Sequence, residues 1–280
     1  MRKFYILLIS SLFLITTSCT LLDIVEENPS LDLSFKQAYQ YAELANASYQ
    51  DIAEINQVNA KYSLKTIHSK LDTKTAVNYF VANSGNRYVI SIRGTATISD
   101  AITDLKFKLV QNPQLGIYLH EGFAAAANTI VDELRDQLPK NADIEITGHS
   151  LGGAVAVAMA IQLRHEGYRI TRVATFGQPR VTDFNGAQKY AGVKITRYVT
   201  EKDIVPLVPP IAPTEFKKTG IYWHIGNEVL LNELGGYTSL NSTQSMGRAI
   251  SATFSNISER DIDAHKMKNY LRLTGTLAMQ

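Results

Sequence analysis

The sequence predicts an α/β protein with a mostly parallel central sheet and helices on both faces. Three observations carry this. From residue 143 onward β-rich runs alternate with helical runs, and strands joined in order through helices run parallel. A Gly-x-Ser-x-Gly turn stands between one such strand and one such helix. The 280 residues are 45% hydrophobic and show no repeat or low-complexity linker, which is enough chain for one large α/β domain or two small ones.

The chain opens with Arg2 and Lys3, an apolar run from Phe4 to Ile15, and the small residues Thr16, Thr17 and Ser18. That order describes an export signal over residues 1–18. The run falls short of the roughly 20 residues of a membrane span, the alternative being an uncleaved anchoring helix. Cys19 is the only cysteine and has no partner for an intramolecular disulfide. The segment resembles a bacterial lipoprotein signal, in which Cys19 would bear the lipid. Thr16 departs from the Leu-like residue usual there, and Thr20 in place of Asp would suit outer-membrane sorting. The expected location is therefore outside the cytoplasm, in the cell envelope or secreted.

Residues 19–33 read as a leader and 34–280 as the folded domain. Phe35, Ala38, Tyr39, Ala42 and Ala45 recur at helical spacing over Phe35 to Tyr49. Val77 to Ala82 and Tyr88 to Ile92 read as strands joined by the turn Asn83-Ser84-Gly85-Asn86. Ile98, Ala101, Ile102, Leu105 and Leu109 form the apolar stripe of an amphipathic helix, with Asp100, Thr103, Asp104 and Lys108 opposite. A helix from Glu121 to Leu138 stops at Pro139. Asp143 to Thr147 is a strand, Ser150 to His165 an Ala-rich helix, and Thr171 to Phe176 and Ile195 to Thr200 further strands. Glu228 to Asp261, rich in Asn, Ser, Thr and Gly, carries no readable period.

The chemistry is concentrated at Ile146-Thr147-Gly148-His149-Ser150-Leu151-Gly152-Gly153. A strand leads into Gly-x-Ser-x-Gly and a helix leaves it, the arrangement of a nucleophile elbow with Ser150 at its tip. Gly148 and Gly152 remove side chains that would collide where the backbone turns so sharply. A serine hydroxyl needs a base, normally a histidine oriented by a carboxylate, in chain order Ser, Asp, His. Three histidines lie downstream: His165, about four turns along the helix and pointing away, His224, and His265. For the carboxylate, Asp203 follows a strand end and Asp183 is its rival.

Several motifs in one order, from Val89 to Leu271, resemble the class 3 lipase family. They are Arg93-Gly94-Thr95, His120-Glu121-Gly122-Phe123, the elbow, Phe176-Gly177-Gln178-Pro179-Arg180, Asp203-Ile204-Val205-Pro206 with Pro209-Pro210, and His265-Lys266-Met267-Lys268-Asn269-Tyr270. The resemblance implies an α/β-hydrolase fold and a triad of Ser150, Asp203 and His265. It also implies an oxyanion hole from the backbone N–H groups of Leu151 and Thr95, and a lid over the Ile98 stripe. The expected activity is hydrolysis of lipid carboxylic esters at a lipid–water interface, through an acyl-enzyme. A phospholipase or general carboxylesterase would share the triad, and a non-catalytic lipid-binding surface lipoprotein is the reading of another class. No metal or organic cofactor is implied. With a net charge of +2 and no run of Lys and Arg, nucleic acid is not an expected partner.

Overall fold

The computed structural model describes residues 29–71, 77–95, 108–209, 221–254 and 262–280. The export signal, Cys19 and the apolar stripe from Ile98 to Leu105 lie outside them. In chain order the strands are β1 (Lys65–Lys70), β2 (Tyr79–Ser84), β3 (Arg87–Ile92), β4 (Leu109–Asn112), β5 (Ile117–His120), β6 (Asp143–His149), β7 (Ile170–Phe176), β8 (Thr182–Asp183), β9 (Ile195–Thr200), β10 (Tyr222–Trp223), β11 (Asn227–Leu231) and β12 (Tyr237–Leu240). The helices are α1 (Phe35–Ala47), α2 (Ile52–Lys61), α3 (Glu121–Leu134), α4 (Leu151–His165), α5 (Phe184–Lys189), α6 (Ser242–Phe254) and α7 (Met267–Ala278).

Among the described residues the central sheet has eight strands in the order β1-β2-β3-β6-β7-β9-β11-β12. The run β3-β6-β7-β9-β11 is parallel, and the pairs at either edge are antiparallel. This is the mostly parallel sheet expected from the alternation of strands and helices. Successive residues of a strand face opposite sides, and the two cores follow that period. Val81, Ile90, Ile92, Ile144, Ile146 and Val173 pack beneath α3 and α4. Phe80, Ala82, Val89, Ala174 and Phe176 pack beneath α1, α2 and α7.

Helix α4 is buried from Gly152 through Ile161, wedged between sheet and α3. A helix buried all round must be apolar all round, and Ala154, Ala156, Ala158 and Ala160 keep it thin enough to lie close on both sides. Helix α1 begins with a capping box. The Ser34 hydroxyl accepts the Gln37 N–H at 3.3 Å, and the Gln37 side chain accepts the Ser34 N–H at 3.1 Å.

Several boundaries and elements differ from those expected. Helix α1 ends at Ala47, leaving Tyr49 in the turn beyond it. Helix α3 ends at Leu134 and only turns continue to Leu138, because the residue before Pro139 is driven out of helical conformation. Leu109 does not close a helix: it pairs with His120 across β4 and β5. These two strands belong to a second, antiparallel sheet, β10-β8-β5-β4. The stretch from Glu228 to Asp261, without a readable period, holds most of β11 and all of β12 and α6.

That stretch hides a buried ionic cluster. Glu228 stands directly opposite Arg197 in register. Arg197 Nη1 lies 3.1 Å from Glu228 Oε2, with 0% and 1% of the two side chains exposed. The Ser245 hydroxyl donates to the same oxygen at 2.6 Å and Arg248 Nε to Oε1 at 2.6 Å, tying α6 to the sheet. Glu228→Ala strands the buried Arg197 guanidinium without its counter-charge, which should destabilise the protein by about 3–5 kcal/mol. Urea unfolding checks this; a loss under about 1 kcal/mol, the surface-pair range, would contradict the burial argument.

Candidate active site

Parallel register aligns the carboxyl ends of four neighbouring strands. Ile92 of β3 pairs with Gly148 of β6, Gly148 with Thr175 of β7, and Phe176 with Tyr198 of β9. The residues just beyond these ends therefore meet along one edge, where open α/β sheets place their sites.

Ser150 connects β6 to α4 with φ 58° and ψ −131°, a conformation that residues with a side chain rarely adopt. Its own N–H holds it there by donating to the Phe176 carbonyl at 2.8 Å, while its carbonyl accepts the Gly153 N–H at 3.0 Å. Space at the turn is as restricted as the glycine spacing implies. A Cβ on Gly152 would come within 2.3 Å of the Ile92 carbonyl oxygen. Leu151 supplies the first N–H of α4, which no carbonyl of the helix itself can satisfy. Thr95 follows Gly94, and Gly94 backs onto the elbow: a Cβ there would lie 3.1 Å from Ser150 Cβ.

Asp203 and His265 are brought together. The carboxylate sits in the loop after β9, and the imidazole ends the 3₁₀ turn Ile262–His265 that leads into α7. His265 Nδ1 donates to Asp203 Oδ2 at 2.6 Å, and both side chains are fully buried. Asp203 Oδ1 accepts the Val205 N–H at 2.8 Å. The Tyr270 hydroxyl also donates to Oδ2. Burial, then the charge of Asp203, hold that phenol well above its ordinary pKa, so it remains a donor. Nε2 of His265 has no hydrogen-bond partner among the described residues. Gly177 (φ 60°) makes room for the pair, since a Cβ there would lie 2.6 Å from His265 Cε1 and 2.8 Å from Asp203 Oδ2.

The rival residues go elsewhere. His224 is buried with Nε2 donating to the Pro206 carbonyl at 2.8 Å, so it braces the loop after Asp203. Asp183 caps α5, accepting the Gly186 N–H at 2.9 Å. His165 is exposed at the far end of α4, about 21 Å along the helix from Ser150. Arg180, buried in its Gly-x-Pro-Arg stretch, donates to the Leu207 and Pro209 carbonyls and braces the same loop. Among the described residues no group of three or more His, Cys, Asp or Glu side chains is placed to hold a metal.

Two of these histidines make stability depend on pH. Burial, then neighbouring His265 for His149 and the Arg197 and Arg180 guanidinium groups for His224, hold both rings well below the ordinary value of 6.5, so both are neutral in the folded protein. The unfolded chain protonates them near that value, binding more protons below it, so their contribution is present above it and lost as pH falls. The expected slope is about 1.4 kcal/mol per pH unit for each ring, or about 2.7 for both, between roughly pH 6 and 5. Urea midpoints at about pH 7.5 and 5.5 check this, and His224→Gln should remove about half of the slope.

The Lipase (class 3) family model matches residues 89–212. Over that stretch, 124 of the 280 residues, the chain is similar to the class 3 lipases. The matched span holds Thr95, Ser150, Leu151 and Asp203, and ends before His265. A lipase of Rhizomucor miehei is 34% identical over 165 residues, 54% of this chain and 46% of that protein. The secreted mono- and diacylglycerol lipase 1 of Fusarium solani is 31% identical over 175 residues, 58% of this chain and 52% of its own length. The chain thus spans about half the length of the curated relatives it matches. A solved triacylglycerol lipase, whose catalytic centre is a serine-protease triad, superposes with a TM-score of 0.63 at 25% identity, covering 82% of this chain and 94% of that one. The family's α/β-hydrolase fold is the one expected from sequence. Tyr270 was quoted within a motif but given no role. Tyr49 and the His149 ring carry no distinguishing pattern in the sequence, one being a tyrosine just past a helix and the other the variable residue of an elbow.

Proposed function

We propose that the chain is a serine hydrolase that cleaves carboxylic esters of lipids. The observation that carries this reading is the buried Asp203–His265 pair, with Nε2 of His265 unengaged, beside a serine in strained backbone. Ser150 is flanked by residues that touch His265: its N–H bonds to Phe176, next to Gly177, and its neighbour His149 lies against the His265 ring.

Ser150 Oγ attacks the ester carbonyl while His265 Nε2 takes its proton. Asp203 keeps the proton of neutral His265 on Nδ1 and stabilises the imidazolium that forms. The N–H groups of Leu151 and Thr95 receive the charge of the tetrahedral intermediate, each worth about 3 kcal/mol of barrier. Imidazolium returns the proton to the leaving alcohol, and water, activated by His265, hydrolyses the acyl-enzyme. In this reading the Ser150–His265 hydrogen bond forms once substrate is bound, as is common for catalytic pairs.

Acylglycerols are the substrate class suggested by the Fusarium relative and by the solved triacylglycerol lipase. The amphipathic stretch from Ile98 is the lid of this reading. Residues 1–18 direct export, and Cys19 carries a lipid anchor.

The test is hydrolysis of a p-nitrophenyl ester series from acetate to palmitate, with phosphonate labelling mapped by mass spectrometry. Long-chain turnover with label on Ser150 supports the reading. Label on another residue, or hydrolysis confined to phospholipids, overturns the nucleophile or the substrate class respectively. The intact mass of the mature protein reports signal removal and the lipid on Cys19; an unmodified Cys19 removes the anchor from the proposal.

A further inference from the structure

Two side chains outside the acyl-transfer scheme, the buried His149 and the half-buried Tyr49, link the elbow to both other parts of the site. His149 is 2% exposed, its Nε2 lies 2.7 Å from the main-chain carbonyl of His265, and its Nδ1 lies 2.9 Å from the Tyr49 hydroxyl. A carbonyl only accepts, so Nε2 carries the proton. In the neutral ring Nδ1 is then an acceptor, and Tyr49 must donate to it. The Tyr49 oxygen in turn accepts the Gly94 N–H at 3.1 Å. The hydrogen bonds therefore run one way, from the Gly94 amide through Tyr49 and His149 to the His265 carbonyl. One end is the residue before Thr95, the other the main chain of the base.

The surroundings hold this direction. The His265 ring lies 4.6 Å from the His149 ring at 30°, and the Tyr270 ring 5.8 Å away. The Arg93 guanidinium stands 5.5 Å from the Tyr49 ring centre and favours a polarised, donating hydroxyl. A doubly protonated His149 would offer Tyr49 no acceptor. It would also set a second cation against His265 when that ring becomes imidazolium. A neutral, singly oriented ring is the form compatible with both neighbours.

We infer that Tyr49 and His149 are positioning residues, a hydrogen-bonded strut that sets the Thr95 amide and His265 at fixed places on either side of Ser150. The inference rests on the acyl-transfer reading above. Neither residue touches the reacting atoms. Tyr49 acts through the Gly94–Thr95 peptide, and His149 through the backbone of His265.

Tyr49→Phe removes one hydroxyl and keeps the ring. With reactive serines counted by stoichiometric phosphonate release, kcat per titrated site should fall about tenfold, with KM unchanged and Tm little altered. A merely structural role would instead lower Tm or the titrated fraction and leave kcat per site alone. His149→Gln keeps a donor for the His265 carbonyl and should fall between wild type and His149→Ala. Nitrogen NMR of the wild type should show His149 protonated at Nε2 and bare at Nδ1 from about pH 5 to 8. Equal kcat per site in Tyr49→Phe and wild type, or the opposite tautomer, overturns the strut. Wild-type protein that neither hydrolyses esters nor takes up phosphonate overturns the acyl-transfer reading, and with it the role given to the strut.

Discussion

Ser150→Ala is expected to lower kcat for ester hydrolysis by about six orders of magnitude, with little change in KM. The substitution removes only Oγ. The φ of 58° at this position is as unfavourable for Ala as for Ser, so neither the turn nor its strain changes. In the proposed mechanism, what survives is the binding and charge stabilisation supplied by the Leu151 and Thr95 amides, about a thousandfold over water. Ester turnover per mole of folded protein checks it. A variant keeping more than about a hundredth of the wild-type rate would require a different nucleophile.

Asp203→Asn is the second, with an expected loss of about four orders of magnitude in kcat. The carboxylate receives three donors: His265 Nδ1 and the Tyr270 hydroxyl on one oxygen, the Val205 N–H on the other. An amide can accept on one side only. If its oxygen faces Val205, its NH₂ meets His265 Nδ1 and drives the proton to Nε2, where it blocks the base. If its oxygen faces His265, the NH₂ opposes the Val205 N–H and the loop from Asp203 shifts. Both arrangements disable the proton transfer, and the pH–rate profile together with the His265 tautomer separates them. Because serine and base act as a unit, Ser150→Ala combined with Asp203→Asn should be no slower than Ser150→Ala alone.

Those two residues were legible in different ways. Ser150 was readable from physics alone, since glycine at 148 and 152 between a strand and a helix answers a steric demand that Gly152 visibly meets. Asp203 and His265 needed chain order and the motif resemblance. Asp183 and His224 fitted the order too, and only their three-dimensional partners, Gly186 and Pro206, give them other tasks. The second sheet escaped because its strands run two to four residues, too short to display a period. In the Glu228 to Asp261 stretch Glu228 is buried against Arg197 and Arg248, and a buried ion pair reads as surface in the sequence. Strand β1 is polar apart from Ile67 and alternates exposed and half-buried residues at the sheet edge, a pattern suited to an edge and easily taken for a loop.

The site also has a sequence in time. Helix α7 packs on α1, and the 3₁₀ turn before α7 brings His265 to Asp203. The Thr200 hydroxyl fixes that turn by donating to the Ala264 carbonyl at 3.1 Å. In the proposed mechanism, nucleophile and carboxylate are thus synthesised well before the base, and the proton path closes only when residues 262–278 dock across α1. On that mechanism the growing chain carries a serine that is activated only once the His265 turn has reached Asp203.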